Sequence, residues 1–147
     1  MKIQTNRLTI VSCTQEIVTT ALKNDYQVGP HISSYLEQLK KDPTLLGWGP
    51  WFVMYNEQFI GDIGFKGKPN QENTVEVGYG IIPIAQGKGY ATEAVGELIR
   101  WSFTTGKVDK IIAECLVTNV PSIRVLDKLG MKQTYQNLDM LFWELQR

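Results

Sequence analysis

The chain is poor in the residues that hold metals. Its 147 residues contain one histidine, His31, and two cysteines, Cys13 and Cys115. No Cys-x-x-Cys pair and no histidine cluster occurs, so a zinc site of ordinary ligand spacing is not expected. Two cysteines are too few for a disulfide scaffold and nothing requires them to pair. Fifteen basic and fifteen acidic side chains cancel, which removes the general field that would draw nucleic acid or an anionic membrane. No apolar run approaches the ~18 residues of a membrane span, and no basic, apolar, small-residue leader opens the chain. Internal repeats and low-complexity tracts are missing too. These absences point to a cytoplasmic protein with reduced thiols, with neither nucleic acid nor membrane as partner. A length of 147 residues suits one domain, 1–147, as a monomer or homodimer.

What is present centres on residues 75 to 104. Val75-Glu76-Val77-Gly78-Tyr79-Gly80-Ile81-Ile82 reads as a strand. From Ala91 to Phe103, apolar residues at 91, 94, 95, 98 and 101 to 103 lie on one helical face. Between them stands Gln86-Gly87-Lys88-Gly89-Tyr90-Ala91. A strand therefore ends, a glycine-rich turn follows and a helix begins. The first turn of a helix has N–H groups without internal partners and a partial positive charge. Glycines before it let the chain wrap closely round an anion, and a diphosphate is the natural guest. The plainer reading is a tight turn.

Two familiar phosphate loops fail on spacing. A Walker A loop needs its first glycine at position 82, which is Ile82, and a Ser or Thr after Lys88, where Gly89 stands. A dinucleotide fingerprint needs a third glycine at position 92, which is Thr92.

The segment Gln86-Gly87-Lys88-Gly89-Tyr90-Ala91 instead resembles the acetyl-CoA pyrophosphate loop, Arg/Gln-x-x-Gly-x-Gly/Ala, of the GNAT N-acetyltransferases. Asn119-Val120-Pro121-Ser122, followed by Leu126-Asp127-Lys128-Leu129-Gly130-Met131, is similar to a second block of that family, in the branch of ribosomal-protein N-terminal acetyltransferases. Thr5-Asn6-Arg7-Leu8 resembles the first-strand start of the same branch. The resemblance spans nearly the whole chain. Gln86 stands for the commoner arginine, Met131 for the commoner phenylalanine, and residues 13 to 50 are the least family-like.

In order, the chain reads as a strand at Arg7 to Ser12, helices at Gln15 to Lys23 and about His31 to Lys41, and a hairpin of Phe52 to Tyr55 with Gln58 to Lys66. The strand at 75 to 82, the helix and a central strand over Val108 to Val117 follow. A last helix starts at Asn119 and Pro121 and stops at Gly130. Met131 to Tyr135 and Leu138 to Gln146 close the chain across Gln136-Asn137. This pattern, and the resemblance, imply an α/β fold: a mixed, mostly antiparallel sheet of six to seven strands flanked by about four helices. His31 beside Gly29-Pro30 reads as a surface or capping residue. Trp48 and Trp51 either line an acceptor pocket or fill the core, and Cys115 packs.

Acetyl transfer to an amine needs a neutral amine, a stabilised oxyanion and a proton for the thiolate. The resemblance implies acetyl-CoA as cosubstrate and direct attack by the amine. It offers two glutamates as base, Glu76 and Glu114, each otherwise a solvent-facing strand charge. Asn119 would bond the pantetheine arm, or simply cap its helix. The family's tyrosine proton donor is replaced by Leu126, which leaves Ser122 as candidate acid and cofactor contact. Gly80, Ile81 and Ile82 would supply backbone donors, with a bulge expected at Gly78 and Gly80. Gln86, Gly87, Lys88, Gly89, Tyr90 and Ala91 would hold the diphosphate; Arg124 and Lys128 are further phosphate candidates. Glu76 and Glu114 would form a negative floor for a primary amine. The alternative is a non-catalytic CoA-binding or sensing module; an RNA-docking role would need a basic face.

Overall fold

A computed structural model describes all 147 residues. Eight strands form one sheet. They are β1 (Lys2–Gln4), β2 (Thr9–Ser12), β3 (Pro50–Tyr55), β4 (Gln58–Phe65), β5 (Thr74–Ile81), β6 (Lys110–Leu116), β7 (Lys132–Asn137) and β8 (Met140–Gln146). Four α-helices accompany them: α1 (Gln15–Lys23), α2 (Pro30–Lys41), α3 (Tyr90–Thr104) and α4 (Val120–Lys128). The spatial order is β1-β2-β3-β4-β5-β6-β8-β7. Only β5 and β6 are parallel, joined across α3 by a crossover; every other neighbour is antiparallel. The mixed α/β architecture is as expected. The eighth strand is β1, too short to carry an alternation signal.

Helices α3 and α4 cover one face, where the larger core gathers Ile10, Trp51, Ile63, Val77, Leu98, Ile111 and Leu126. Helices α1 and α2 cover the other, over Cys13, Phe52 and Phe59. Local signals explain the ends. Thr14 caps α1 by accepting from the Ile17 N–H. Asn56 and Glu57, at φ 47° and 66°, make the two-residue turn between β3 and β4. At the end of α4, the Met131 N–H reaches the Leu126 carbonyl and the Gly130 N–H that of Asp127, with Gly130 at φ 84°. That is a Schellman stop.

Three details differ from the sequence reading. The closing hairpin turns at Leu138-Asp139 rather than Gln136-Asn137, because Asn137 already pairs with Met140. Strand β6 is central but not apolar on both faces: Ile111, Ala113 and Cys115 are buried while Glu114 and Leu116 are exposed. Third, β5 carries no bulge. Its register against β4 runs unbroken from Phe65↔Val77 to Gly61↔Ile81.

Candidate active site

Strands β5 and β6 pair only from Thr74↔Lys110 to Glu76↔Ile112, and beyond that point no ladder joins them. The Ile82 N–H bonds to Ile60 and the Glu76 carbonyl accepts from Lys66, both on the β4 side. Alternation then turns the peptide groups of Tyr79 and Ile81 away from β4, into the fork. Divergence of two strands thus frees the backbone donors that a bulge was expected to free. The donors are Tyr79 and Ile81 rather than Gly80 and Ile82.

The fork opens on a cavity of about 700 Å³ whose walls include Gly80, Ile81, Gln86, Gly87, Gly89, Tyr90, Ala91, Asn119, Ser122, Arg124 and Lys128. Gly87 and Gly89 sit at φ 76° and 82°, in the left-handed region where glycine carries no Cβ penalty. Gly89 is the N-cap of α3 and offers no side-chain cap. None of the six N–H groups from Gly87 to Thr92 has a hydrogen-bond partner within the protein. Six unpaired N–H groups at the positive end of a 15-residue helix are an arrangement that can take up an anion. Gln86 shapes this loop: its Nε2 donates to the Ile81 carbonyl at 2.7 Å. Lys88 lies outside the lining, and Ile82 lines a neighbouring cavity instead.

The Thr5-Asn6-Arg7-Leu8 segment anchors the same helix. Thr5 Oγ1 and the Arg7 N–H both donate to Glu93 Oε2, Arg7 Nε reaches Glu93 Oε1 at 2.7 Å, and the Arg7 guanidinium lies over the Tyr90 ring at 4.5 Å. Loss of water raises the Glu93 pKa, but the bonds from Thr5 and Arg7 together outweigh it and hold the carboxyl below its ordinary value of 4.5. A depressed carboxylate stabilises the fold above its unfolded pKa and loses that contribution as pH falls through the folded one. Glu93→Gln should therefore lower Tm by about 3 °C at neutral pH, from about 1 kcal/mol, and by progressively less as acid carries the pH below 4.5 and through the lowered folded value. Melting curves across that range check it; a gap that does not narrow with acid would contradict it.

At the head of α4, Asn119 accepts from the Ser122 N–H at 3.2 Å and so caps the helix. Ser122 lines the fork, and the Tyr79 hydroxyl points at its carbonyl, 3.4 Å away. Burial raises the Tyr79 phenol above its ordinary value, more than the contact with Ser122 lowers it.

A second cavity, about 880 Å³, lies between α2, the Leu45 to Pro50 segment and strands β4 and β5. Tyr79, Gly80 and Ile81 belong to both cavities, which therefore meet at the fork. Trp48 borders this second cavity although it too is buried in the larger core, and Trp51 lies wholly inside that core. Neither Glu76 nor Glu114 lines either cavity. Glu76 is bound to Lys66 at 2.7 Å, and Glu114 is exposed on β6 opposite Phe142. The closing hairpin contributes no wall. The carboxylate that does line the second cavity is Asp62, with His31 at 2.8 Å and Tyr26 at 2.6 Å. His31 is therefore no cap; the N-cap of α2 is Gly29. Nothing in the sequence links residues 26, 31 and 62, and only chain folding joins them.

Comparison with known proteins decides the family. A family model described as "Acetyltransferase (GNAT) domain" matches residues 8–132. The chain belongs to the GNAT acetyltransferase family. It is 26% identical to the N-acetyltransferase YjdG of Bacillus subtilis over 96% of this chain and 95% of that one. Among solved structures, a Salmonella typhimurium acetyltransferase that modifies the N-terminal serine of ribosomal protein L7/L12 superposes with a TM-score of 0.78. The match covers 100% of this chain and 99% of that one, at 12% identity. A RimL acetyltransferase solved in complex with coenzyme A gives 0.77 at 14% identity, covering 99% and 98%. As a member of this family, the chain is an acetyl-CoA-dependent N-acetyltransferase. The unpaired loop donors, the basic Arg124 and Lys128 and the open fork suit that cosubstrate. No helix is long and apolar enough to cross a membrane.

Proposed function

We propose that this GNAT domain acetylates a primary amine, either small or the α-amine of a peptide, by direct attack in a ternary complex. The observation that carries the reading is the meeting of the two cavities at Tyr79, Gly80 and Ile81. One cavity has donors for an anion, the other a carboxylate for a cation. When bound, acetyl-CoA supplies the thioester carbonyl that the amine attacks. Gly87, Gly89, Tyr90 and Ala91 hold its diphosphate through backbone N–H groups, with Gln86 as the strap that shapes the loop and Lys88 at its rim. Tyr79 and Ile81 offer N–H groups to the arm along the fork, with Gly80 between them and Ile82 ending the ladder. Asn119 orients the first turn of α4, and Ser122 gives a proton to the sulfur.

An α-amine of pKa about 8 is partly neutral at pH 7, whereas a lysine amine at about 10.4 is not. Good positioning beside a weak base is therefore enough for an α-amine. Both cysteines are buried and unpaired, which fits a reducing cytoplasm.

Free CoA release in a screen of peptides, polyamines and aminoglycosides tests the acceptor class. Amines should score, and a hydroxyl as best acceptor would refute it. On the best amine, Ser122→Ala should lower kcat about 10²-fold with little change in acetyl-CoA affinity. Unchanged turnover, with chemistry rate-limiting, would leave Ser122 as a helix residue only.

A further inference from the structure

The acceptor cavity holds a polar centre with no part in the cofactor cleft. Asp62 stands on β4 opposite Gly80, and its side chain keeps only 20% of its exposure. A carboxylate so far out of water ordinarily has a cation beside it. Here the partners are the Tyr26 hydroxyl on Oδ2 and His31 Nε2 on Oδ1. Lys66, the cavity's lysine, is already engaged by Glu76. Other titratable groups close by add no positive charge. Tyr35 on α2 is pushed up to about 12, mainly by burial, and the Tyr79 phenol on β5 is raised by burial. The Cys13 thiol beneath is pushed up to about 12 by burial and then by the Asp62 charge. Asp62 is thus the cavity's carboxylate without a permanent cation.

Geometry gives that carboxylate an outlet. Side chains at Asp62 and at position 80 would stand side by side on one face of adjacent strands, Cα atoms about 5 Å apart. Position 80 is glycine, and a Cβ built there meets nothing within 4 Å. The space beside Asp62 is therefore open toward the stretch of β5 shared with the cofactor cleft. His31 leads the other way: its side chain is 56% exposed, so the pair connects the cavity to solvent.

Resting on the amine-transfer reading above, we propose that Asp62 and His31 bind the cationic acceptor amine and take its proton, with Tyr26 as a positioning residue. The chemical class is a primary amine with an apolar or aromatic body, since Tyr35, Leu45, Pro50 and Tyr79 are among the other lining residues. As the nitrogen–carbon bond forms, the carbon–sulfur bond breaks. Of the two protons that the ammonium loses, one goes to the Asp62 carboxylate, directly or across a water, and leaves through His31. The other ends on the thiol.

His31 is the sole histidine, so its imidazole gives one NMR resonance set that reports this centre without any turnover. The test uses full-length protein with CoA, adding 2-phenylethylamine or the best amine of the screen. In wild type the imidazole signals should move on amine addition, and in Asp62→Asn they should not. In steady state, Asp62→Asn should lower kcat/KM for the amine about 10²-fold and displace the acidic limb of the pH–rate profile, with acetyl-CoA affinity unchanged. His31→Gln should displace the same limb. Tyr26→Phe should raise the amine KM more than it lowers kcat. If wild type acetylates no amine, the functional reading fails; this assignment then stands or falls on the Asp62-dependent imidazole shift. It is overturned if the signals ignore the amine, if Asp62→Asn keeps the wild-type rate and profile, or if Glu76→Gln moves the acidic limb instead.

Discussion

Gly89→Val is expected to weaken acetyl-CoA binding by about 2 kcal/mol or more, at least ~30-fold. Space is not the obstacle. A Cβ at Gly89 would meet only Arg7 Nη2, at 3.4 Å. Backbone conformation is: Gly89 has φ 82°, and a β-branched side chain there costs about 1–2 kcal/mol, so the turn relaxes away from it. Relaxation spreads apart the unpaired N–H groups from Gly87 to Thr92, to which the proposed function assigns the diphosphate. Helix α3 is held independently through Glu93 to Thr5 and Arg7, so the fold survives. Calorimetry with acetyl-CoA, alongside a melting curve, is the measurement. A folded variant with wild-type affinity would remove the loop from the cofactor site.

The largest expected effect on stability is that of Trp51→Ala. The Trp51 ring is fully buried, lies 5.2 Å from Trp101 between centroids, and its indole N–H donates to the Gly47 carbonyl at 2.9 Å. Truncation opens a cavity under the sheet and leaves that carbonyl without its donor. The cost should be about 3–5 kcal/mol, a large part of a typical domain's stability, and Tm should fall by about 10 °C. Denaturant titration measures it. A loss under about 1 kcal/mol would mean that the sheet closes over the gap, and that Trp51 is not the anchor its burial indicates.

These two residues also show how differently information is stored along the chain. The turn at Gly89 was legible because loop, flanking strand and helix are contiguous, written in one run of about 30 residues. Trp51 was ambiguous between pocket and core. It stands three residues from Trp48, and both rings fill the larger core, with Trp48 also bordering the second cavity.

Local order determined a good deal. The 3.6-residue and two-residue periods placed all four helices and seven of the eight strands, and cap residues such as Thr14 and Gly130 set helix ends nearly where they fall. Those signals are short-range, since they depend on backbone bonds made within a few residues. The same holds for the Asn119 cap and for the family blocks.

Tertiary structure alone decided the fork and the second cavity. A bulge at Gly78 and Gly80 was a fair local expectation, but free N–H groups arise instead because β6 leaves β5 after Ile112, a fact about two strands 36 residues apart. Glu76 and Glu114 occupied plausible strand positions. Whether a strand carboxylate faces a cavity depends on which neighbour takes it, and Lys66 takes Glu76. Conversely, Tyr26, His31 and Asp62 look unrelated in sequence, and the packing of α1 and α2 on the sheet brings them within hydrogen-bond reach. The sequence by itself determined the glycine loop and the helix it opens, because a helix N-terminus and its loop are one continuous piece of chain. The place and charge of the second cavity were decided only by the fold, because its walls come from separate elements whose juxtaposition no local pattern encodes.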